Sequence, residues 1–427
     1  MTAQYIRFSS QVLNAKQQGS SSWELTVRDA TSGTTRTEKF DCLFICSGHH
    51  WNPNTPKLTG AETFKGYQFH SHSYKDYTPF VGKRVLVIGI GNSGVDVAVE
   101  LSRHSKQVYL STRSGAWILP RFTIFGMPSD HVGNTRLMNA LPLAIRGKIV
   151  ETVLRAHTGD LSNFGLEPAF GIYNAHPTIN GELIGRIGVG AIQVKSDIAR
   201  ILPTSVEFDD GSVAEDIDVI CYCTGYKVEF PYLDKSAGIT VVDNKISLYK
   251  NIFPAAVSNI AFVGLIQPLG AVMPISEMQC RWATRVFSGK QALPDQATMV
   301  QDIADQQRGV AQRYKRSPRH TIQVDYIDYM DTLADQIGCR PTFLRVLLSH
   351  PTLILRYCFA PMSPTWFRLV GPHAWSGAVQ AIGENATSAF LPYQTRKLPN
   401  SGQSLSVVQW VLALIVLLIA LRFLGLF

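Results

Sequence analysis

The sequence has little cysteine: seven residues in 427, at 42, 46, 221, 223, 280, 339 and 358. An odd, unpatterned set excludes a disulfide framework and fits a reducing compartment. Cys221 and Cys223 lie two apart in a strand-like run, so they are expected to point the same way, as buried thiols acting as small hydrophobes. A signal peptide is missing, because MTAQYIRFSS contains no apolar core. There is no Lys/Arg block interleaved with aromatics. The net charge of +8 is therefore not read as nucleic-acid binding, and an anionic membrane surface or an anionic cofactor suits it better. Internal repeats and low-complexity tracts are also absent. What is present is core-forming material, 45% hydrophobic and 10% aromatic, at a length that suits two or three domains.

Only one long apolar run occurs. LSVVQWVLALIVLLIALRFLGLF, residues 405–427, has Gln409 and Arg422 as its strongly polar members. A spanning helix needs about 20 apolar residues, so a C-terminal transmembrane helix is expected there, with Trp410 and Arg422 as interfacial anchors. Residues 4–46 read as strands, ending in DCLFICSG. That continuous apolar run fits a strand buried on both faces of a parallel sheet. IDVICYCTGY (217–226) and NIAFVGL (259–265) are similar runs. Helical spacing marks LMNALPLAIRGKIVETVLRAH, the stretch from 275 to 313, and the stretch from 320 to 358.

The most informative stretch is KRVLVIGIGNSGVDVAVELSRHSKQVYLSTR, residues 83–113. It reads strand, Gly turn, amphipathic helix, strand. Gly89-Ile90-Gly91-Asn92-Ser93-Gly94 is therefore a GxGxxG in the βαβ context that a dinucleotide site requires. Gly89 permits the tight turn, Gly91 lets backbone approach a pyrophosphate, and Gly94 allows close helix–strand packing. An NAD site places a carboxylate at the end of the second strand. Here Ser111-Thr112-Arg113 stands in its place, with Arg121 eight residues on. A carboxylate would repel a 2′-phosphate and Arg would grip it, so the nucleotide expected is NADP.

His70 and His72 are spaced i, i+2 with no third ligand nearby, a poor metal set. They belong instead to a longer pattern. Phe64, Gly66, His70 and Tyr74 form FxGxxxHxxx(Y/F), which resembles the signature of the flavin-containing monooxygenases. The likeness continues in CSGHHWNPNTP (46–56), HPTINGEL (176–183), EDIDVICYCTGY (215–226) and GLIQPLGAVMPISEMQCRWATRVF (264–287). It covers nearly the whole chain. A ketone-oxidising (Baeyer–Villiger) relative tends to carry Trp where Tyr74 stands.

The resemblance implies an α/β protein with two Rossmann-type nucleotide-binding domains, the NADP domain inserted in the FAD domain, plus the C-terminal transmembrane helix. The expected division is 1–54 and 229–340 for the FAD domain, 74–228 for the NADP domain, 341–404 for a helical region and linker, and 405–427 for the anchor. It implies that NADPH reduces FAD, that reduced flavin forms a C4a-hydroperoxide with O₂, and that a soft N or S atom of a small lipophilic amine or sulfide xenobiotic takes the oxygen. It places the bulk of the chain on the cytosolic side of the endoplasmic reticulum membrane. Cofactor chemistry of this kind needs no catalytic side-chain triad, and none is assigned. Carried over by position, Gly89, Gly91, Asn92, Ser93, Gly94, Val95 and Asp96 line the NADP pyrophosphate. Thr112, Arg113 and Arg121 are the 2′-phosphate candidates. Gln267 lies toward the nicotinamide, and His70 at an interdomain hinge. Ser47-Gly48 and Thr224-Gly225 end the crossover strands near the nucleotides. The family opens with its own Gly-rich FAD fingerprint. This sequence carries one fingerprint, so the FAD domain is expected to be incomplete and FAD retention poor. The alternatives are an NADP-binding membrane protein without activity, and a ketone oxygenase.

Overall fold

The computed structural model describes residues 3–19, 21–123, 126–315, 317 and 319–396. The expected anchor, 405–427, lies outside them. Among the described residues no helix is long and apolar enough to cross a membrane.

Strands β1 (Ser10–Gln18), β2 (Ser22–Asp29) and β3 (Thr35–Phe40) form an antiparallel meander. Its inner face alternates in the way a half-buried sheet requires, with Trp23, Leu25 and Val27 buried. The apolar run after it becomes β4 (Leu43–Ile45), which pairs in parallel with β10 (Ile260–Phe262). The Trp23 indole donates to the Asn259 carbonyl at 3.2 Å, tying the meander to the start of β10.

The main sheet has five parallel strands. They are β5 (Tyr67–His70), β6 (Arg84–Ile88), β7 (Gln107–Ser111), β8 (Ile192–Lys195) and β9 (Val219–Tyr222), in the order β8-β7-β6-β9-β5. Its central strands are buried on both faces, which is why RVLVI, QVYLS and VICY read as nearly continuous apolar runs rather than alternating ones. Helix α1 (Asn92–Leu101) joins β6 to β7. Its residues Val95, Ala98 and Leu101 recur at helical spacing and are wholly buried in the core under the sheet. Burying such a valine or leucine side chain stabilises by about 1.5–3 kcal/mol. The sheet takes in Tyr67–His70, upstream of residue 74 where the NADP domain was expected to begin, because β5 completes the pairing of β9.

Helix α2 (Leu143–Thr158) follows Pro142, whose ring cannot continue a helix backwards. Beyond the sheet come β11 (Gln267–Pro268), α3 (Val272–Phe287), α4 (Gln296–Arg313) and β12 (Gln323–Val324). The strands β11 and β12 pair in parallel. A strand therefore interrupts the 320–358 region expected to be helical. The described residues fall into two compact units, 3–129 with 142–333, and 130–141 with 334–396. The second unit thus begins before residue 341 and recruits a distant strip. Within it, the Asn134 carbonyl accepts the Met362 N–H at 2.9 Å, and Trp366 and Phe367 are fully buried.

Candidate functional site

The Gly-rich turn is built by close contacts. Gly89 has φ of +108°, and its N–H donates to the Ser111 carbonyl at 3.0 Å. A Cβ at Gly89 would stand 2.6 Å from the Cys223 carbonyl oxygen, and one at Gly94 only 1.9 Å from the Gly89 oxygen. Both glycines let backbone pack on backbone. Gly91 differs: its φ is −72°, which any residue adopts, and a Cβ there would meet only the Arg319 guanidinium, at 2.9 Å. Its missing side chain leaves room for that guanidinium beside the turn. Helix α1 then starts with no side-chain cap and no acid in its first turn. Its first N–H groups are left for an anion, where the helix dipole also favours one.

The side chains of this turn mostly face elsewhere. The Asn92 Oδ1 accepts the Ile179 N–H at 2.8 Å, and the Asp96 Oδ1 accepts the Asn180 amide at 3.0 Å. The Thr178 hydroxyl donates to the Ile90 carbonyl at 2.6 Å. Asn92 and Asp96 thereby stitch the segment His176–Asn180 to the turn. Val95 is core and Ser93 is exposed. What the turn offers a phosphate is backbone.

At the other end, the Thr112 N–H donates to the Lys195 carbonyl at 2.9 Å, and Arg113 stands exposed just past β7. Arg121 lines a cleft of ≈ 530 Å³ alongside α1, together with Arg103 and the carboxylates Asp96, Glu100 and Glu182. Arg103 is paired with Glu182 there.

Lys315, Arg319 and His320 also come to this turn, and no sequence motif marked them. The Lys315 Nζ donates to the Ser114 hydroxyl at 3.1 Å. Arg319 lies against Gly91 and close enough to Arg113 to feel its charge. The Gln323 amide and the His176 Nδ1 are 3.4 Å apart. Burial holds His176 down at about 4, with Arg319 and His320 opposing its protonation further. Gln267 is tied to the chain just after His320: its N–H donates to the Ile322 carbonyl at 2.7 Å. The available signal was the basic run KRSPRH in turn-forming company.

The signature residues Phe64, Gly66, His70 and Tyr74 act as braces. A Cβ on Gly66 would lie 2.3 Å from the Asp218 oxygen and 2.6 Å from the Phe64 ring. The His70 Nδ1 accepts the His72 N–H at 3.1 Å, so its Nε2 carries the proton and donates to the Gly225 carbonyl at 3.0 Å. The Tyr74 hydroxyl donates to Glu100 on α1 at 3.0 Å. Cys221 and Cys223 touch, Sγ to Sγ at 3.7 Å, and are buried.

The parallel pair β4/β10 forms a second strand-end region. Gly48 and Gly264 have positive φ, and nothing lies within 4 Å of a Cβ at Gly48. His49 beside it has both ring nitrogens buried without a partner, and burial holds it down at about 4. The buried Gln279 of α3 accepts the Gly264 N–H at 2.8 Å and donates to the Tyr329 hydroxyl at 2.9 Å. Orphaned nitrogens beside an open strand end suit one side of a nucleotide. Among the described residues this region has no second GxGxxG turn, so they offer NADP a phosphate turn and FAD one side of a site.

A family model described as flavin-binding monooxygenase-like matches residues 2–425. The human flavin-containing monooxygenase 5 is 42% identical over 416 residues, 95% of this chain and 77% of that protein. The chain belongs to the flavin-containing monooxygenase family. The human flavin-containing monooxygenase 2 is 41% identical over 428 residues, 97% of this chain and 79% of its own length. Among solved structures, an S-allyl-L-cysteine S-oxygenase from Allium sativum aligns over 89% of this chain and 71% of its own, with a TM-score of 0.56 and 23% identity. A cyclohexanone monooxygenase from Rhodococcus sp. Phi1 bound to NADP⁺ aligns over 78% and 79%, with a TM-score of 0.56 and 16% identity. At those identities the likeness is one of fold. The chain is thus a flavin monooxygenase by family, and the FAD and NADP expected from the sequence are that family's cofactors.

Proposed function

We propose that this monooxygenase takes NADPH across the Gly89–Val95 turn and oxygenates soft nitrogen or sulfur atoms of small lipophilic molecules. The observation that carries the NADP half is the end of β7, where exposed Arg113 stands and no carboxylate does. The turn contributes backbone N–H groups to the pyrophosphate, Gly91 adds no side chain to that approach, and Arg113 faces the 2′-phosphate. When bound, flavin supplies the activation of O₂. The protein's own part is to hold the nicotinamide in place and keep water out. Gln267, Gln279 and the neutral His70 fix backbone around that region and move no proton.

Tyr74 supports the heteroatom branch over the ketone branch. The test is to supply the purified chain with FAD, NADPH and either a thioether or a cyclic ketone, and to identify products. Sulfoxide without lactone is expected; lactone as the main product would overturn the substrate class. Arg113→Glu is expected to weaken NADPH binding far more than NADH binding, and equal losses would remove Arg113 from the phosphate.

The apolar run 405–427 supports a reading as a single-pass anchor in the endoplasmic reticulum membrane, with the rest of the chain cytosolic. A chain ending at Ser401 is then expected to sediment less with membranes. Unchanged sedimentation would rule out the run as sole anchor.

A further inference from the structure

Three basic side chains from distant parts of the chain meet beside the Gly-rich turn. Arg113 ends β7. The Lys315 ammonium lies on Ser114, the next residue. The Arg319 guanidinium lies 2.9 Å from where a Gly91 Cβ would be. Among the described residues no carboxylate pairs with any of the three. Arg319 is exposed, with the tip of its guanidinium against Gly91. Loss of water around that tip, and then Arg113, lowers its pKa from the ordinary arginine value. Bringing like charges together is unfavourable unless something negative comes between them.

The fold nevertheless anchors the residues on either side of Arg319. The Lys315 N–H donates to the Asn174 carbonyl at 2.9 Å, and the His320 Nδ1–H donates to the Lys315 carbonyl at 2.9 Å. The Thr321 hydroxyl donates to the Asn244 carbonyl at 2.6 Å. The Arg313 guanidinium, at the end of α4, forks onto the Asp325 carboxylate. These bonds tie down Lys315 and the residues that follow Arg319.

We infer that Arg319 is a ligand of the dinucleotide pyrophosphate and Lys315 a ligand of the 2′-phosphate, so that a loop far downstream completes the NADP site begun by the Gly-rich turn. The division of labour follows from position. Gly91 is where a pyrophosphate makes its closest backbone approach, and Arg319 covers Gly91. The second-strand end is where the adenosine ribose is read, and Lys315 covers Ser114 there. The inference rests on the NADPH reading above.

The test is the dissociation constants of NADPH and NADH for the full chain and for Arg319→Gln, Arg319→Lys and Lys315→Gln, read by nicotinamide fluorescence. Both nucleotides carry the pyrophosphate, and only NADPH carries the 2′-phosphate. Arg319→Gln is expected to weaken both by about tenfold or more, leaving their ratio unchanged. Lys315→Gln is expected to weaken NADPH alone, by a similar factor. Arg319→Lys keeps the charge and should recover part of the loss. Wild-type affinities in Arg319→Gln would overturn the inference, as would a loss confined to NADPH. Equal losses in Arg319→Gln and Arg319→Lys, with a lowered melting temperature in both, would make Arg319 a structural residue and also overturn it. A wild-type chain that binds neither nucleotide would bring down the NADPH reading itself, a result separate from any variant's.

Discussion

Gly91 and Gly94 are three residues apart in one motif, and the structure assigns them opposite duties. Alanine at each should separate stability from cofactor binding. At Gly94 the new methyl would lie 1.9 Å from the Gly89 oxygen, 2.9 Å from the Gly89 carbonyl carbon and 3.3 Å from the Cys223 Cβ. The nearest two are backbone atoms of a turn already held by the Gly89–Ser111 hydrogen bond, so nothing yields cheaply. Overpacking of this kind costs about 1–3 kcal/mol, and contact with backbone puts Gly94→Ala at the top of that range. Alanine returns up to about 1 kcal/mol through helix propensity. The net loss is about 2 kcal/mol, a melting temperature lower by roughly 4–8 °C for a domain of this size. At Gly91 the backbone accepts alanine and the methyl meets only the end of a long arginine, which can swing away. Gly91→Ala should therefore melt with the wild type while NADPH affinity falls about tenfold or more, because the methyl occupies the pyrophosphate's approach. Differential scanning fluorimetry and nicotinamide fluorescence measure the two effects. A Gly94→Ala chain that melts like wild type would refute the packing argument, and a Gly91→Ala chain that binds NADPH normally would refute the phosphate argument.

Two further outcomes follow from the same geometry. His176 is held neutral, at about 4 in the fold against an ordinary value near 6.5. Between those values the unfolded chain binds the extra proton and the folded chain does not, so this contribution is whole above pH 6.5 and is lost as pH falls toward 4. Melting temperatures from pH 7.5 to 4.5 should fall less steeply in His176→Gln than in wild type, and an unchanged slope would count against His176. Tyr74→Phe removes the donor to Glu100, a partly buried hydrogen bond worth about 1 kcal/mol. Stability should drop by that amount with NADPH affinity intact, and a large loss of affinity would mean that the signature tyrosine does more than brace α1.

What was legible in the sequence was local. The βαβ unit could be read because β6, the turn and α1 are contiguous, and because periodicities of 2 and 3.6 distinguish them within a few residues. The same locality explains the failures. GxGxxG marks a phosphate turn but does not tell which side chains face the phosphate. Only the fold brings Ile179 and Asn180 to Asn92 and Asp96, taking those two side chains for packing. Arg121 follows Arg113 by eight residues, and its neighbours in the fold, Arg103 and the carboxylates beside α1, could not be read from that spacing. Lys315 and Arg319 sit in a Pro- and Ser-containing basic loop that on its own reads as a solvated surface run. Their meaning depends on the pairing of β11 with β12, two residues each, which carries the loop back over the turn. Phosphate sites are assembled by charge at a distance as well as by contiguous backbone, and the second kind of information is the only one a linear pattern stores. Positive charges that the fold brings together without acidic partners are therefore the feature to look for first when one half of such a site has already been found.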